Sequence, residues 1–277
     1  MRNIRLKIQY DGACYHGWQR QPDQITIQET IEEAIKKMTG EDVSLMGSGR
    51  TDAGVHALCQ VANFYTESKI PFEGFEKGLN SLLPNDISIL ECRKAPEEFN
   101  SLRDSLCKVY GYYLISSQKR LPVWAHRAWV VERPLNVLKI KKAFSCLEGE
   151  HDFSAFQASG SSVKTTVRKV FFTDMIHLFS DSIYGDHYLL TIAADGFLRY
   201  MVRNIVGMLA QIGMEKRETE EMERVLDSKD RTLAGPTAPP QGLYLRKIFY
   251  DRDKFARFLE NPKGYLKWNL NQVCHKG

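Results

Sequence analysis

The chain has 277 residues, of which 43% are hydrophobic and 26% charged, with a formal net charge of +4 at pH 7. This is enough for one large domain or two smaller ones with a shared core, and an aromatic share of 11% excludes a disordered chain. No apolar run approaches the ~20 residues of a membrane-spanning helix, so we expect no membrane association. The slightly basic balance is weak evidence for a polyanionic partner, and the positions of the arginines are more informative.

The cysteines include no C-x-x-C pair, and no secretory apolar segment precedes them. We therefore expect reduced thiols in a cytoplasmic protein. The six residues concerned are Cys14, Cys59, Cys92, Cys107, Cys146 and Cys274.

The first half of the chain alternates between strand and helix patterns. Residues 4–10 alternate apolar and polar side chains, which predicts a strand. Thr26 and Glu29 form a capping box before a helical apolar stripe, and Gly40 ends that helix. Further patterns predict a short strand at 43–46, a strand from about 59 to 66, a helix at 71–82 and a strand at 87–92.

The second half repeats this order. A tyrosine-rich strand at 108–116 precedes a helix with apolar positions Ile140, Phe144 and Leu147. Then follow a hairpin of strands 167–177 and 187–194, a helix with an apolar stripe from 197 to 212, a strand at 243–250, and a C-terminal helix and tail from 251 onward.

Two successive βαββαβ units predict an α+β fold built from two ferredoxin-like (RRM-like) subdomains, residues 1–106 and 107–277. We expect their half-covered sheets to join into one continuous sheet, mixed but mainly antiparallel. Two such sheets side by side leave a natural cleft between them.

The loop between the second and third strands of the first unit is the most unusual segment. Gly47, Gly49 and Gly54 permit close approach of a ligand, and Asp52 and His56 lie among them. The spacing does not match a Walker loop. One interpretation is a turn in which Asp52 caps backbone amides. Another is a metal- or phosphate-dependent hydrolase that uses Asp52 and His56, although two residues are few ligands for a metal.

Two other patterns favour a functional interpretation. Arg199 and Arg203 are four residues apart and share a helix face beside an apolar stripe, where an arginine needs an anion. Its partner is either a nearby glutamate or a carboxylate in a cleft, and Asp52 is a candidate. The predicted strand with Tyr110, Tyr112 and Tyr113 is either a packed sheet face or a stacking surface for nucleobases.

The chain contains, in this order, the segments YDG (10–12), GWQRQ (17–21), GRTDAGVHA (49–57), KVY (108–110), MVRNIVG (201–207) and GLYL (242–245). Together these segments resemble the TruA-type tRNA pseudouridine synthases. The resemblance covers about residues 4 to 250. It implies two related subdomains, a continuous sheet with a central basic cleft, a homodimer, and no cofactor or metal. It also implies conversion of uridine to pseudouridine at positions 38, 39 and 40 of tRNA, in the anticodon stem-loop.

The resemblance also implies residue roles. Asp52 matches the catalytic aspartate, which we interpret as the nucleophile, and Arg203 matches the arginine paired with it. Tyr110 matches the tyrosine that stacks on the uracil, a residue of the catalytic set that also binds substrate. A cation within ~4–6 Å favours an ionised carboxylate, so we expect Arg203 to keep Asp52 charged.

Three further positions are implied to bind substrate. Arg50 matches the arginine that helps displace the target nucleotide, Leu245 an apolar wall of the pocket, and Arg168 a basic residue that we place on the RNA backbone. In many relatives an arginine follows F-H-A, whereas here Arg103 is displaced by one residue, so no RNA contact is assigned to it.

The residues leave one alternative function open, a non-catalytic RNA-binding protein on a duplicated RRM-like fold. It predicts RNA binding that persists in Asp52→Ala and no modified base in the RNA.

Overall fold

A computed structural model describes residues 1–160 and 163–266, which form a mixed α+β fold with one large sheet and seven helices. In the first half the elements are β1 (Arg2–Tyr10), α1 (Ile27–Thr39), β2 (Met46–Gly47), β3 (His56–Thr66), α2 (Phe72–Leu82) and β4 (Ile87–Lys94). In the second half they are β5 (Cys107–Ser116), β6 (Trp129–Val131), α3 (Val137–Ser145), β7 (Gly149–Asp152), β8 (Val167–Asp181), β9 (Gly185–Ala194), α4 (Met201–Gly213), α5 (Glu221–Ser228), β10 (Leu243–Phe249), α6 (Arg252–Glu260) and α7 (Pro262–Tyr265).

One sheet runs through both halves in the order β4-β1-β3-β10-β5-β9-β8-β7, with β2 paired to β3 and β6 paired to β5. Its pairs are antiparallel except β3 with β10 and β5 with β6. The expected continuous mixed sheet is therefore confirmed. The halves meet at β10, the last strand of the second half, which lies beside β3 of the first.

The predicted ends of α1 are confirmed by their hydrogen bonds. Thr26 Oγ1 accepts from the Glu29 N–H at 3.4 Å. Gly40 has a left-handed φ of 77°, and its N–H donates to Lys36 O, which closes the last turn. The predicted C-terminal helix corresponds to α6 and α7, whereas the predicted tail at 267–277 lies outside the described residues.

The strand predicted at 43–46 was wrong in extent, because β2 contains Met46–Gly47. Side chains of α1 take over the backbone groups of Leu45 that a strand would have paired. Glu32 Oε1 accepts from the Leu45 N–H at 2.9 Å, and Gln28 Nε2 donates to Leu45 O at 3.1 Å. The backbone of Leu45 thus bonds to side chains of a helix, and no local sequence pattern identifies that partner.

The main core lies between one face of the sheet and helices α1 to α5, and Leu243 and Leu245 of β10 belong to it. Tyr244, between them, belongs to a smaller cluster with Tyr113 and Ile115, so β10 presents alternate residues to opposite faces. No helix among the described residues is both long and apolar enough for a bilayer crossing.

Candidate active site

The loop that carries Asp52 joins β2 to β3 and is anchored on the segment around β1. The Trp18 N–H donates to Thr51 O at 3.1 Å, and Thr51 Oγ1 shares a 2.8 Å hydrogen bond with the Tyr10 hydroxyl. The Val55 N–H donates to Asp52 O at 3.2 Å. The backbone on both sides of Asp52 is therefore fixed.

Two glycines of the earlier segment permit this close packing. A Cβ on Gly12 would overlap the Val55 carbonyl oxygen. Gly17 has a φ of +90°, and a Cβ there would approach Thr51 O to 2.5 Å. Any side chain at these positions would push the loop away, so the distant motifs around residues 12 and 17 serve to hold the Asp52 loop.

The structure brings Asp52 and Arg203 together from opposite halves of the chain. Arg203 Nη1 lies 3.3 Å from Asp52 Oδ2, and Arg203 Nε donates to Ala238 O at 2.8 Å. The Asp52 side chain is 24% exposed and that of Arg203 12%. The contact expected from the sequence is therefore present, in a partly buried place where charges interact more strongly than in water.

The charge balance at Asp52 differs from our expectation. Burial raises the pKa of Asp52 above its ordinary value, while Arg203 and, more weakly, Arg199 pull it down. Burial is the larger effect, so the net shift is upward. Arg203 limits the rise in the pKa of Asp52 and does not produce a net fall.

Tyr200 is a site residue that the sequence analysis missed. It has a left-handed φ of 64° immediately before α4, a rare conformation for a side-chain-bearing residue. The Arg203 and Arg199 guanidinium groups lie over its ring at 4.8 and 5.0 Å. The sequence shows an aromatic residue beside two arginines spaced by four, which is a signal for a ring–guanidinium contact. It does not show the left-handed backbone conformation of Tyr200.

Tyr110 and Leu245 lie side by side on neighbouring strands. Leu245 is in register with Tyr110 on β5 and with Ala57 on β3. Leu245 is fully buried and Tyr110 is 7% exposed, with its ring edge-on to Phe197 at 5.1 Å. Burial, with the charge of Asp52 adding to it, raises the pKa of Tyr110, so its phenol stays neutral at pH 7.

The remaining residues expected to bind RNA are Arg50 and Arg168. Arg50 is exposed. Arg168 is half-buried, and its Nη1 donates to the carbonyl oxygens of Thr165 and Val167 at 2.9 and 2.6 Å. The displaced Arg103 is tied down locally, since its Nε donates to Asp104 Oδ1 at 2.8 Å.

His56 does not face Asp52. Its Nδ1 accepts from the Gly12 N–H at 3.1 Å and lies 3.0 Å from Asp11 Oδ1, while its ring stacks on Tyr244 at 4.7 Å. The contact with His56, and more weakly the Ala13 N–H, lowers the pKa of Asp11 to about 2. Within residues 1–160 and 163–266, no group of three or more histidines, cysteines and acids could hold a metal. A metal shared by Asp52 and His56 has no support in this geometry.

The chain matches the family model described as tRNA pseudouridine synthase over residues 7–101 and 143–251. It is 46% identical over 250 residues to the tRNA pseudouridine synthase A of Thermoanaerobacter sp., covering 90% of this chain and 100% of that protein. Proteins of the same name from Acetivibrio thermocellus and Geotalea daltonii are 45% and 43% identical, with the same coverage. The matched ranges include Asp52, Arg203 and Leu245, so the chain belongs to the tRNA pseudouridine synthase family.

Proposed function

We propose that this chain isomerises uridine to pseudouridine at positions 38, 39 and 40 of the tRNA anticodon stem-loop, with Asp52 as nucleophile. Membership of the tRNA pseudouridine synthase family supplies the isomerase activity. The observation that carries the role of Asp52 is its 3.3 Å contact with Arg203. A half-buried carboxylate held by a guanidinium from the other half of the chain is a reactive group with a fixed position.

The chemistry requires the N1–C1′ bond to break, the uracil to turn, and C5 to bond to C1′. Reactant and product are isomers, so the reaction needs no electron or group donor. A carboxylate is a competent nucleophile toward a sugar carbon, as in glycosidases that form a covalent intermediate. Three first steps are chemically open to Asp52: attack on the sugar, attack on the base, and proton abstraction from C2′. Each of them needs the same ionised carboxylate in the same place.

The surroundings of Asp52 support the handling of an unstacked nucleotide. Extruding a uridine costs a few kcal/mol, and less where the base is already in a loop. Arg50 is exposed, two residues before Asp52, where it can fill the vacated space. Tyr110 offers a ring for stacking, worth about 1–3 kcal/mol per base, and Leu245 beside it supplies an apolar wall.

The strand order supports a duplicated ferredoxin-like fold. In the first half β4-β1-β3-β2 follow one another, and in the second half β10-β5-β9-β8 do so. Counted within each half, and leaving aside the short β6 and β7, both are fourth-first-third-second. On this basis we assign the halves to residues 1–106 and 107–277, with the Asp52–Arg203 contact across a basic cleft. The family resemblance leads us to propose a cytoplasmic homodimer.

The test is to incubate wild type and Asp52→Ala with unmodified tRNA transcripts and to map pseudouridine by carbodiimide labelling. We expect wild type to modify positions 38, 39 and 40, with full activity in EDTA, and Asp52→Ala to bind the transcript without modifying it. Binding without pseudouridine in wild type would instead support the non-catalytic RNA-binding protein. Activity that survives in Asp52→Ala would contradict the proposed nucleophile.

A further inference from the structure

One lysine beside the Asp52 loop has an ammonium group that finds no hydrogen-bond or ion-pair partner among the described residues. Lys108 lies on β5 two residues before Tyr110, so strand alternation places both side chains on the same face of the sheet. Its side chain is half-buried. Within residues 1–160 and 163–266, its ammonium makes no hydrogen bond or ion pair. Lys108 belongs to the KVY segment, but the sequence analysis gave it no role.

The neighbours of Lys108 place its ammonium under the Asp52 loop. A Cβ on Gly49 would lie 3.8 Å from Lys108 Nζ, so this ammonium lies against the residue that precedes Arg50. Because Gly49 has no side chain, position 49 does not cover the Lys108 ammonium.

Lys108 on β5 pairs with Ala194 on β9, which pairs with Val170 on β8, two residues after Arg168. The charge of Arg168 disfavours that of Lys108, whereas the charge of Asp195 favours it. Arg168 lies next to the turn after β9, since a Cβ on Gly196 would lie 3.4 Å from Arg168 Nε. Within the described ranges Arg168 forms no ion pair with a carboxylate; its Nη1 donates to two backbone carbonyls. Asp195 is exposed, and its Oδ1 accepts the Lys169 N–H.

Two neighbouring cations without a paired carboxylate are unfavourable in a half-buried place. Burial lowers the pKa of Lys108 to about 8, and the charge of Arg168 adds to the fall. Lys108 therefore remains mostly protonated at neutral pH, although the protein environment disfavours its charge. An anion between the two side chains would relieve this cost.

We propose that Lys108 and Arg168 together bind a phosphodiester of the RNA strand that carries the uridine to Asp52. A nucleotide that reaches Asp52 brings its own backbone phosphates. Lys108 lies against Gly49 of the Asp52 loop, and Arg168 is the neighbouring cation. The inference rests on the proposed function, because the phosphate is part of that substrate. Lys108 then binds and positions the substrate, with Tyr110 on the same face of β5 below the base.

The test compares Lys108→Met, Lys108→Arg and the control Lys169→Met. Lys169 neighbours Arg168 on β8, but its ammonium lies 5.9 Å from the Phe171 ring, which packs against the cluster on the other sheet face. tRNA affinity is measured at several salt concentrations, together with the single-turnover rate of pseudouridine formation at saturating tRNA.

We expect Lys108→Met to reduce the slope of log K against log salt by about 0.7–0.9, the loss of one phosphate contact. Its single-turnover rate should fall roughly tenfold, because the nucleotide is less well positioned. Lys108→Arg should retain the slope, and Lys169→Met should match wild type in both measurements. Thermal unfolding supplies a structural readout, and Lys108→Met should melt no lower than wild type because it removes an unpaired, half-buried charge.

An unchanged salt slope in a folded Lys108→Met protein would overturn the proposal, as would an equal loss in Lys169→Met. If Lys108→Met does not fold, Lys108→Gln is measured in its place and judged by the same slope. Because the slope is measured on binding alone, a wild type that binds tRNA without making pseudouridine would contradict the proposed function and leave the phosphate site to be judged separately.

Discussion

Two carboxylates on neighbouring loops, Asp11 after β1 and Asp52 between β2 and β3, have pKa shifts of opposite direction. Asp52 contacts Arg203 at 3.3 Å, yet its pKa is raised because burial outweighs the nearby guanidinium groups. Asp11 contacts His56 at 3.0 Å, and its pKa falls to about 2 because hydrogen bonds outweigh burial. The comparison teaches that a nearby basic side chain does not by itself determine the pKa of a carboxylate. The balance of hydrogen bonds and desolvation decides it.

The difference also separates two roles. On the Asp52 side, the carboxylate lies near the ring of Tyr110 and the charges of Arg203 and Arg199. The exposed Arg50 lies on the same loop as Asp52. The Asp11 side has a histidine that is 3% exposed, stacked on Tyr244 and bonded to the backbone of Gly12. We therefore expect substitutions on the first side to change activity and those on the second to change stability.

The largest effect should come from Asp52→Asn, which keeps the shape of the side chain and removes its charge. The rate of pseudouridine formation should fall by roughly 10⁴-fold or more, as when other nucleophiles are removed. Rate measurements on tRNA transcripts, with circular dichroism as the control for folding, test this. A loss below tenfold in a folded protein would show that Asp52 is not the reacting group.

The next largest effect should come from Arg203→Gln. Removing the cation leaves burial unopposed except by the weaker effect of Arg199, so the pKa of Asp52 should rise further. Since the ionised form reacts, the rate falls as pH drops through that pKa, and the acid limb of the pH–rate profile should move to higher pH. At neutral pH the rate should fall roughly 100-fold, because a preorganised charge is lost.

The matched control is Arg203→Lys, which retains a charge but loses the planar guanidinium. Its acid limb should lie between those of wild type and Arg203→Gln. Identical acid limbs in all three proteins would show that Arg203 does not influence the charge of Asp52.

A smaller effect is expected at Tyr110, on the Asp52 side of the sheet. Tyr110→Phe keeps the ring, so substrate stacking should persist and the rate should change little. Tyr110→Leu removes the ring and about 1–3 kcal/mol of stacking, a fall of roughly 5- to 150-fold in kcat/KM. Equal losses in the two variants would assign the role of Tyr110 to its hydroxyl instead.

On the other side, His56→Ala should reduce stability by about 1–3 kcal/mol, because the Gly12 N–H loses its acceptor. Activity per folded molecule should stay within about threefold of wild type, since His56 contacts Asp11, Gly12 and Tyr244 rather than Asp52. Urea unfolding and rate assays on the same preparation measure both quantities. A variant that is as stable as wild type but inactive would move His56 into the reaction.

The smallest effect concerns acid stability. The folded-state pKa of Asp11, about 2, lies below its ordinary 3.8, so the unfolded chain binds more protons between these values. The contribution of Asp11 to stability is therefore present above pH 3.8 and lost as pH falls toward 2, at most about 2 kcal/mol. Urea unfolding at pH 5 and pH 3 should show this loss in wild type and a smaller one in His56→Ala.

The sequence predicted much of the fold because its signals are local. The Thr26 cap and the Gly40 stop of α1 are confirmed, since each depends on residues within one or two turns. The strand predicted at 43–46 was wrong because side chains of α1 satisfy Leu45. This error comes from a partner that local periodicity does not report.

For the site, the sequence by itself determined the motifs that predict Asp52, Arg203 and Leu245 as site residues, and the family match covers all three. Tertiary structure alone decided the net direction of the pKa shift at Asp52, the side to which His56 turns, and the absence of a carboxylate partner for Lys108 among the described residues. The physical reason is that desolvation and ion pairing depend on atoms brought close by folding. Asp52 and Arg203 are 151 positions apart in the chain, and no local pattern reports how deeply a carboxylate between two halves is buried.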